Sequence, residues 1–297
     1  MITRHLHVDR NKLGGEAANL ISPSEMQRSQ TGSKILKGNY HKTMKILICG
    51  KGGSGKSTVA ALLASAMHKR GKRIFLVDAD ESNIGLYRML GVDMPVPLMD
   101  SLGGKKGFRD KTKTTGITLD GPSQLFPIDL KLDGLPDDCI ASLDRIQVMS
   151  IGKIHHFGEG CACPMGKLFR MLFSSLRFEK QDLVIVDTAA GVEHFGRSLD
   201  GQCEHVLCIV DPSYESIMMA KRVETLAREA KLPVSVILNK ITPEVDEALT
   251  IALEGVTIIG RLPDNRSIFL NNLKGKSLDL EMPEIESVCD AIEHAWI

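Results

Sequence analysis

From Gly50 to Thr58 the chain reads Gly-Lys-Gly-Gly-Ser-Gly-Lys-Ser-Thr, a run with the composition of a phosphate cradle. Gly50, Gly52, Gly53 and Gly55 lack the Cβ that would hold an oxyanion off the backbone. Their amides, with that of Ser54, can therefore converge on a phosphate chain. Lys56 adds a fixed positive charge for the terminal phosphates, the Ser57 hydroxyl suits Mg²⁺, and Thr58 carries the chain into a helix whose N-terminus favours anions. Lys51 is a second lysine, at the mouth of the loop. One loop cannot easily aim two lysines at one phosphate tail, which leaves Lys51 available for the nucleotide of another subunit.

Three carboxylates, Asp78, Asp80 and Asp187, end apolar runs elsewhere in the chain. Brought to the cradle, they would supply what phosphoryl transfer to water needs: a Mg²⁺ anchor and a group that orients the attacking water. Which carboxylate does which is open at this level, and a strand-end capping role competes for Asp78. Asn239 follows Val236-Ile237-Leu238, and its amide can donate and accept at once, as the N6/N7 edge of adenine requires. Asp264, after Pro263, reads equally as the cap of a following helix.

A second constellation is Gly158-Glu159-Gly160-Cys161-Ala162-Cys163-Pro164. A Cys-x-Cys pair rarely closes a relaxed disulfide, but its two thiolates can hold one soft metal ion. Two sulfurs are half of a four-coordinate site, and a two-fold axis beside this loop would bring the other half from a second copy. Two buried apolar cysteines, or a redox pair, are the competing readings. His155 and His156 lie close by in sequence, but adjacent side chains diverge in extended backbone, which favours solvated histidines. Cys49, Cys203 and Cys208 belong to apolar runs and read as core.

The elements that must position these groups follow from the hydrophobic pattern. Ile46–Cys49, Arg73–Asp78, Val148–Ile151, Leu183–Asp187 and the runs 205–210, 233–238 and 256–260 are short and continuously apolar. Between them lie helical periodicities at 57–69, 167–176, 214–229 and 243–253, with further helices near 264–272 and 284–295. Strands buried on both faces and alternating with helices predict one α/β domain over 44–297, a largely parallel sheet covered on both sides. Ligands of such sheets collect at the carboxyl ends of the strands, where every motif above lies. Residues 91–150 read as an elaboration of this core. Residues 1–43 are polar and without sustained periodicity, a disordered leader or upstream extension before Met44.

With 37 basic against 37 acidic residues in 297, and no long run of like charge, nothing points to nucleic acid or to an anionic membrane. The tail after Lys276 has neither Lys nor Arg, so a basic membrane-binding helix is missing there. Seven cysteines, odd in number and mostly scattered, suit a reducing, cytoplasmic setting.

The cradle with its extra lysine resembles the deviant Walker A motif of the MinD/ParA/nitrogenase-iron-protein class of P-loop ATPases. That resemblance implies ATP and Mg²⁺ as ligands and a nucleotide-sandwiched homodimer whose interface is crossed by Lys51. It also implies Asp80 as the water-positioning switch I residue, Asp187 as the switch II residue, and Asn239 with Pro263-Asp264 at the adenine. Adding Cys161-Ala-Cys163-Pro164, Ala190-Gly-Val-Glu-His-Phe-Gly-Arg197 and Val210-Asp-Pro-Ser-Tyr-Glu-Ser216, the chain is similar to the CooC family of nickel-inserting ATPases. That family implies Ni²⁺ or Zn²⁺ held between two Cys-x-Cys loops, and carbon monoxide dehydrogenase as the client. A positioning ATPase of the MinD/ParA type, and an iron–sulfur carrier or reductase, are the alternatives within the class.

Overall fold

A computed structural model describes residues 43–114, 125–156, 163–191 and 202–295. All of the expected leader except Thr43, and Cys161, lie outside them, as do residues 192–197 of the motif that begins at Ala190. The strands are β1 Met44–Gly50, β2 Arg73–Ala79, β3 Ile140–Leu143, β4 Ile146–Ser150, β5 Asp182–Thr188, β6 His205–Val210, β7 Val234–Ile241 and β8 Ile258–Pro263. They form an eight-stranded sheet in the order β3-β4-β2-β5-β1-β6-β7-β8. Every pairing is parallel except that of the edge strand β3 with β4. The single α/β domain with a mostly parallel sheet is therefore as expected.

The continuous apolar character of the strands reflects burial on both sides. Ile46, Ile48, Ile74, Leu76 and Ile185 face a core shared with α1 (Lys56–Lys69), α2 (Leu86–Leu90) and α9 (Pro283–Ala295). Their alternates Leu47, Cys49, Phe75, Val77 and Val186 face the other core. It is closed by α3 (Leu98–Ser101), α4 (Gly104–Thr114), α5 (Cys163–Ser175), α6 (Tyr214–Glu229) and α7 (Pro243–Ala252). The period of two along each strand thus distributes one residue set to each layer.

The chain leaves β1 toward β2 on one side of the sheet and later returns through β6 on the other. The crevice at that reversal lies outside the carboxyl end of β1, where the glycine loop begins. Three boundaries differ from expectation. Helix α5 begins at Cys163, not Lys167, with Pro164 in its first turn, where its missing N–H costs nothing. Strand β7 runs on to Ile241, so Asn239 is a strand residue. Helix α8 spans Arg266–Leu273 and is capped by Asn265, whose Oδ1 accepts from the amides of Ser267 (2.9 Å) and Ile268 (3.1 Å). Asp264 is not the cap.

Candidate functional site

The loop after β1 reaches α1 through left-handed backbone at Gly53 (φ 80°) and Gly55 (φ 99°), conformations that L side chains rarely adopt. Its carbonyls are held from outside. The amide nitrogen of Asn239 donates to Ser54 O (2.8 Å), and the Lys240 ammonium donates to Gly53 O (2.7 Å). Within the loop, Lys56 donates to Lys51 O at 3.3 Å and is itself buried. A cleft of about 510 Å³ opens over it, lined among others by Gly52, Lys56, Ser57, Asp80, Asn83 and Asp264.

Parallel register puts Asp78 and Asp187 side by side at the carboxyl ends of β2 and β5. Their environments then separate them. Asp78 Oδ2 accepts from Lys153 Nζ (2.7 Å) and from the Tyr87 hydroxyl (2.7 Å), while its Oδ1 accepts from the amide of Asp80 (3.1 Å). Burial raises the Asp78 carboxyl above its ordinary range, and Lys153 opposes that. With both oxygens committed, Asp78 anchors the turn that carries Asp80. Asp78, expected among the Mg²⁺ ligands, thus has the chain's own donors on both oxygens.

Asp187 is different. Its Oδ2 accepts from Asn83 Nδ2 at 3.3 Å, but its buried Oδ1 has no partner among the described residues. Burial pushes its carboxyl up to about 7, with Asp78 and Asp80 adding repulsion and the nearby Ser57 hydroxyl and Lys56 opposing. The same Asn83 nitrogen donates to Ser57 Oγ at 2.7 Å, so one amide joins the hydroxyl and the carboxylate expected to hold Mg²⁺. An orphaned buried carboxylate oxygen beside a hydroxyl is what a hard divalent cation with oxygen ligands would satisfy. Ser57 and Asp187 thus fit Mg²⁺. Asp80 lines the cleft, and its Oδ1 receives both the amide (2.9 Å) and the hydroxyl (2.7 Å) of Ser82.

These are the parts of a nucleotide site, and sequence comparison identifies its type. The profile of the CobQ/CobB/MinD/ParA nucleotide binding domain, CbiA, matches residues 45–278. The chain belongs to this family. It is a P-loop ATPase of the MinD/ParA kind. An uncharacterized ATP-binding protein of Methanocaldococcus jannaschii is 40% identical over 250 residues, covering 84% of this chain and 99% of its own length. The carbon monoxide dehydrogenase accessory protein CooC of Rhodospirillum rubrum is 29% identical over 233 residues, covering 76% of this chain and 85% of its own. Among solved structures, the septum site-determining protein MinD of Pyrococcus horikoshii, complexed with Mg-ADP, superposes with a TM-score of 0.58. At 20% identity, over 86% of this chain and 96% of that one, that likeness shows the shared fold.

Pro263, Asp264 and Asn239 all line the cleft, Asn239 while spending its amide nitrogen on the loop. Lys51 lies 3.7 Å from Asp211 and 3.9 Å from Glu215 of its own chain. Cys163 sits exposed at the head of α5, whereas Cys49, Cys139, Cys203, Cys208 and Cys289 are buried. His155 is exposed and pairs with Asp100 at 2.8 Å. No helix among the described residues is long and apolar enough to cross a membrane.

Asn83, Lys153 and Lys240 were not picked out by sequence reasoning. Asn83 and Lys240 each stand beside a residue that was, within the Asp80–Asn83 run and the Asn239-Lys240 pair. Lys153 carries no local signal; only its depth, 4% exposed, marks it.

Proposed function

We propose that this ATPase is a metallochaperone. In this reading ATP draws two copies together, and Cys161 and Cys163 of each hold a Ni²⁺ or Zn²⁺ ion between them for delivery to a client such as carbon monoxide dehydrogenase. The observation that carries the reading is the exposure of Cys163, the one exposed residue among the described cysteines, at the head of α5. It is supported by the similarity to CooC. Thiolates that ligate cargo must be reachable by it, and a redox-inert core cysteine need not be. Ile84 and Tyr214, 74% and 76% exposed, flank the site's loops and are apolar surface of the sort a second copy would cover.

The chain's own residues perform the hydrolysis as follows. The glycine loop and Lys56 bind the triphosphate and hold its terminal group in line. Ser57 and Asp187 would hold Mg²⁺, which would supply positive charge beside the phosphate oxygens. Asp80 orients the attacking water, its carboxylate fixed on one oxygen by Ser82. Lys51 leaves Asp211 and Glu215 to reach the partner copy's nucleotide, an exchange of one anionic neighbourhood for a more strongly anionic one.

The test is metal content per dimer, measured by mass spectrometry on anaerobic protein with and without a non-hydrolysable ATP analogue. Metal should rise with the analogue and be lost in Cys161→Ala and in Cys163→Ala, while nucleotide affinity stays. Unchanged metal stoichiometry in both variants would refute the metallochaperone and leave an ATPase of other purpose. A brown sample with visible absorbance would instead assign the cysteines to an iron–sulfur cluster.

A further inference from the structure

Lys153 is a buried charged group that hydrolysis as proposed does not use. It lies just beyond β4, 4% exposed, with its ammonium 2.7 Å from Asp78 Oδ2 and 2.5 Å from the carbonyl oxygen of Asp80. The ammonium also lies over the Tyr87 ring, 6.0 Å from its centroid, and the Tyr87 hydroxyl donates to the same Asp78 oxygen. Two backbone bonds run parallel to this contact: Ile151 N to Asp78 O (3.0 Å) and Ile154 N to Glu81 O (3.2 Å). The segment from Ile151 to Ile154 is therefore fastened to the turn 78–81 at both ends and in the middle.

A lysine is an expensive way to fasten two backbones in a dry interior, since its charge must be desolvated and then matched. A carboxylate partner, Asp78, supplies the match. What the lysine adds beyond neutralising Asp78 is a grip on the main chain of Asp80, the residue assigned to the attacking water. We infer that Lys153 is a positioning residue for hydrolysis: by holding the Asp80 carbonyl, it fixes where the Asp80 carboxylate stands relative to the phosphate cradle. The inference rests on the reading of Asp80 as the water-orienting group.

A displaced water-orienting group lowers the rate of the chemical step and leaves ground-state binding alone. Lys153→Met should therefore reduce kcat on the order of 10- to 100-fold. Its Kd for a fluorescent ATP analogue should change less than about threefold, with kcat expressed per nucleotide-binding site so that misfolded protein does not count. Should Lys153→Met not fold, because Asp78 is left as a lone buried charge, Lys153→Met/Asp78→Asn removes both charges and allows the same measurement. A folded variant of either kind that retains wild-type kcat overturns the inference. So does a loss of kcat matched by an equal loss of nucleotide affinity, the signature of a general disturbance of the fold. Asp80→Asn serves as the reference. If it leaves kcat intact, the assignment of Asp80 fails; if it abolishes kcat while Lys153→Met does not, only the role of Lys153 fails.

Discussion

The phosphate loop offers a prediction in which two substitutions of one kind should differ for a calculable reason. Gly53 and Gly55 both have positive φ, 80° and 99°, so a Cβ at either carries backbone strain of about 1–2 kcal/mol. At Gly53 the added carbon meets nothing within 4 Å. At Gly55 it would stand inside the van der Waals radius of Asn239 Nδ2, the atom that donates to Ser54 O at 2.8 Å. Alanine at 55 must therefore displace a buried amide and break its bond, a further 1–3 kcal/mol or about that. The loop that results is held in the nucleotide-binding shape less well by roughly 2–5 kcal/mol. Calorimetric titration with ATP should show Gly53→Ala weakened about 5- to 30-fold and Gly55→Ala weakened about 30- to 5,000-fold. Shortening the obstructing side chain in Gly55→Ala/Asn239→Ala should recover part of the loss. Equal effects at 53 and 55, or no recovery in the double variant, would show that Asn239 is not what shapes the loop.

Two further outcomes follow from buried titratable groups. Asp187, pushed up to about 7 by burial, binds a proton near neutrality without metal, and Mg²⁺ favours its carboxylate. Mg-ATP binding should then release protons between about pH 6 and 7, read as buffer-dependent calorimetric enthalpy, and Asp187→Asn should release fewer. His205, lowered from 6.5 to about 4 by burial against Ser235, is neutral when folded and takes up a proton on unfolding. Its contribution to stability is present above pH 6.5 and is lost as pH falls toward 4, up to about 3 kcal/mol. His205→Gln should accordingly flatten the fall in melting temperature over that window, and an unchanged slope would show that His205 is protonated in the fold.

Much of the architecture was legible because its signals are local. The glycine loop, its following lysine and hydroxyl, and the continuously apolar strands each announce themselves within a dozen residues. The order of elements then dictates a parallel sheet. What was not legible depends on contacts across long sequence distance. Asp78 reads as a metal anchor until Lys153, 75 residues later in the chain, is found against it. Asn239 reads as a detector of the base, and the register of β7 puts its nitrogen on Ser54, 185 residues away. Asp264 and Asn265 are both good helix caps by type, and backbone direction after β8 gave the position to Asn265. The antiparallel strand β3 was hidden within a polar, loosely patterned region because an edge strand, with one side unpaired, needs no continuous apolar run.

The division of charge at the carboxyl ends of β2 and β5 ties these observations together. Two neighbouring buried carboxylates repel, and a fold can tolerate them only by neutralising at least one. Here Lys153 and the Tyr87 hydroxyl settle Asp78 permanently, from within the protein. Asp187 is left with an unpartnered oxygen and a carboxyl poised near 7, the residue whose charge remains to be answered by something from outside. The interior cation at Asp78 therefore divides the pair: one carboxylate holds the Asp80 turn, and the other keeps an oxygen without a partner among the described residues. Ligand loading then stabilises the folded chain by mass action, with the gain concentrated on the loop, the Asp80 turn and α1. Such a site can report nucleotide occupancy to the surfaces around it.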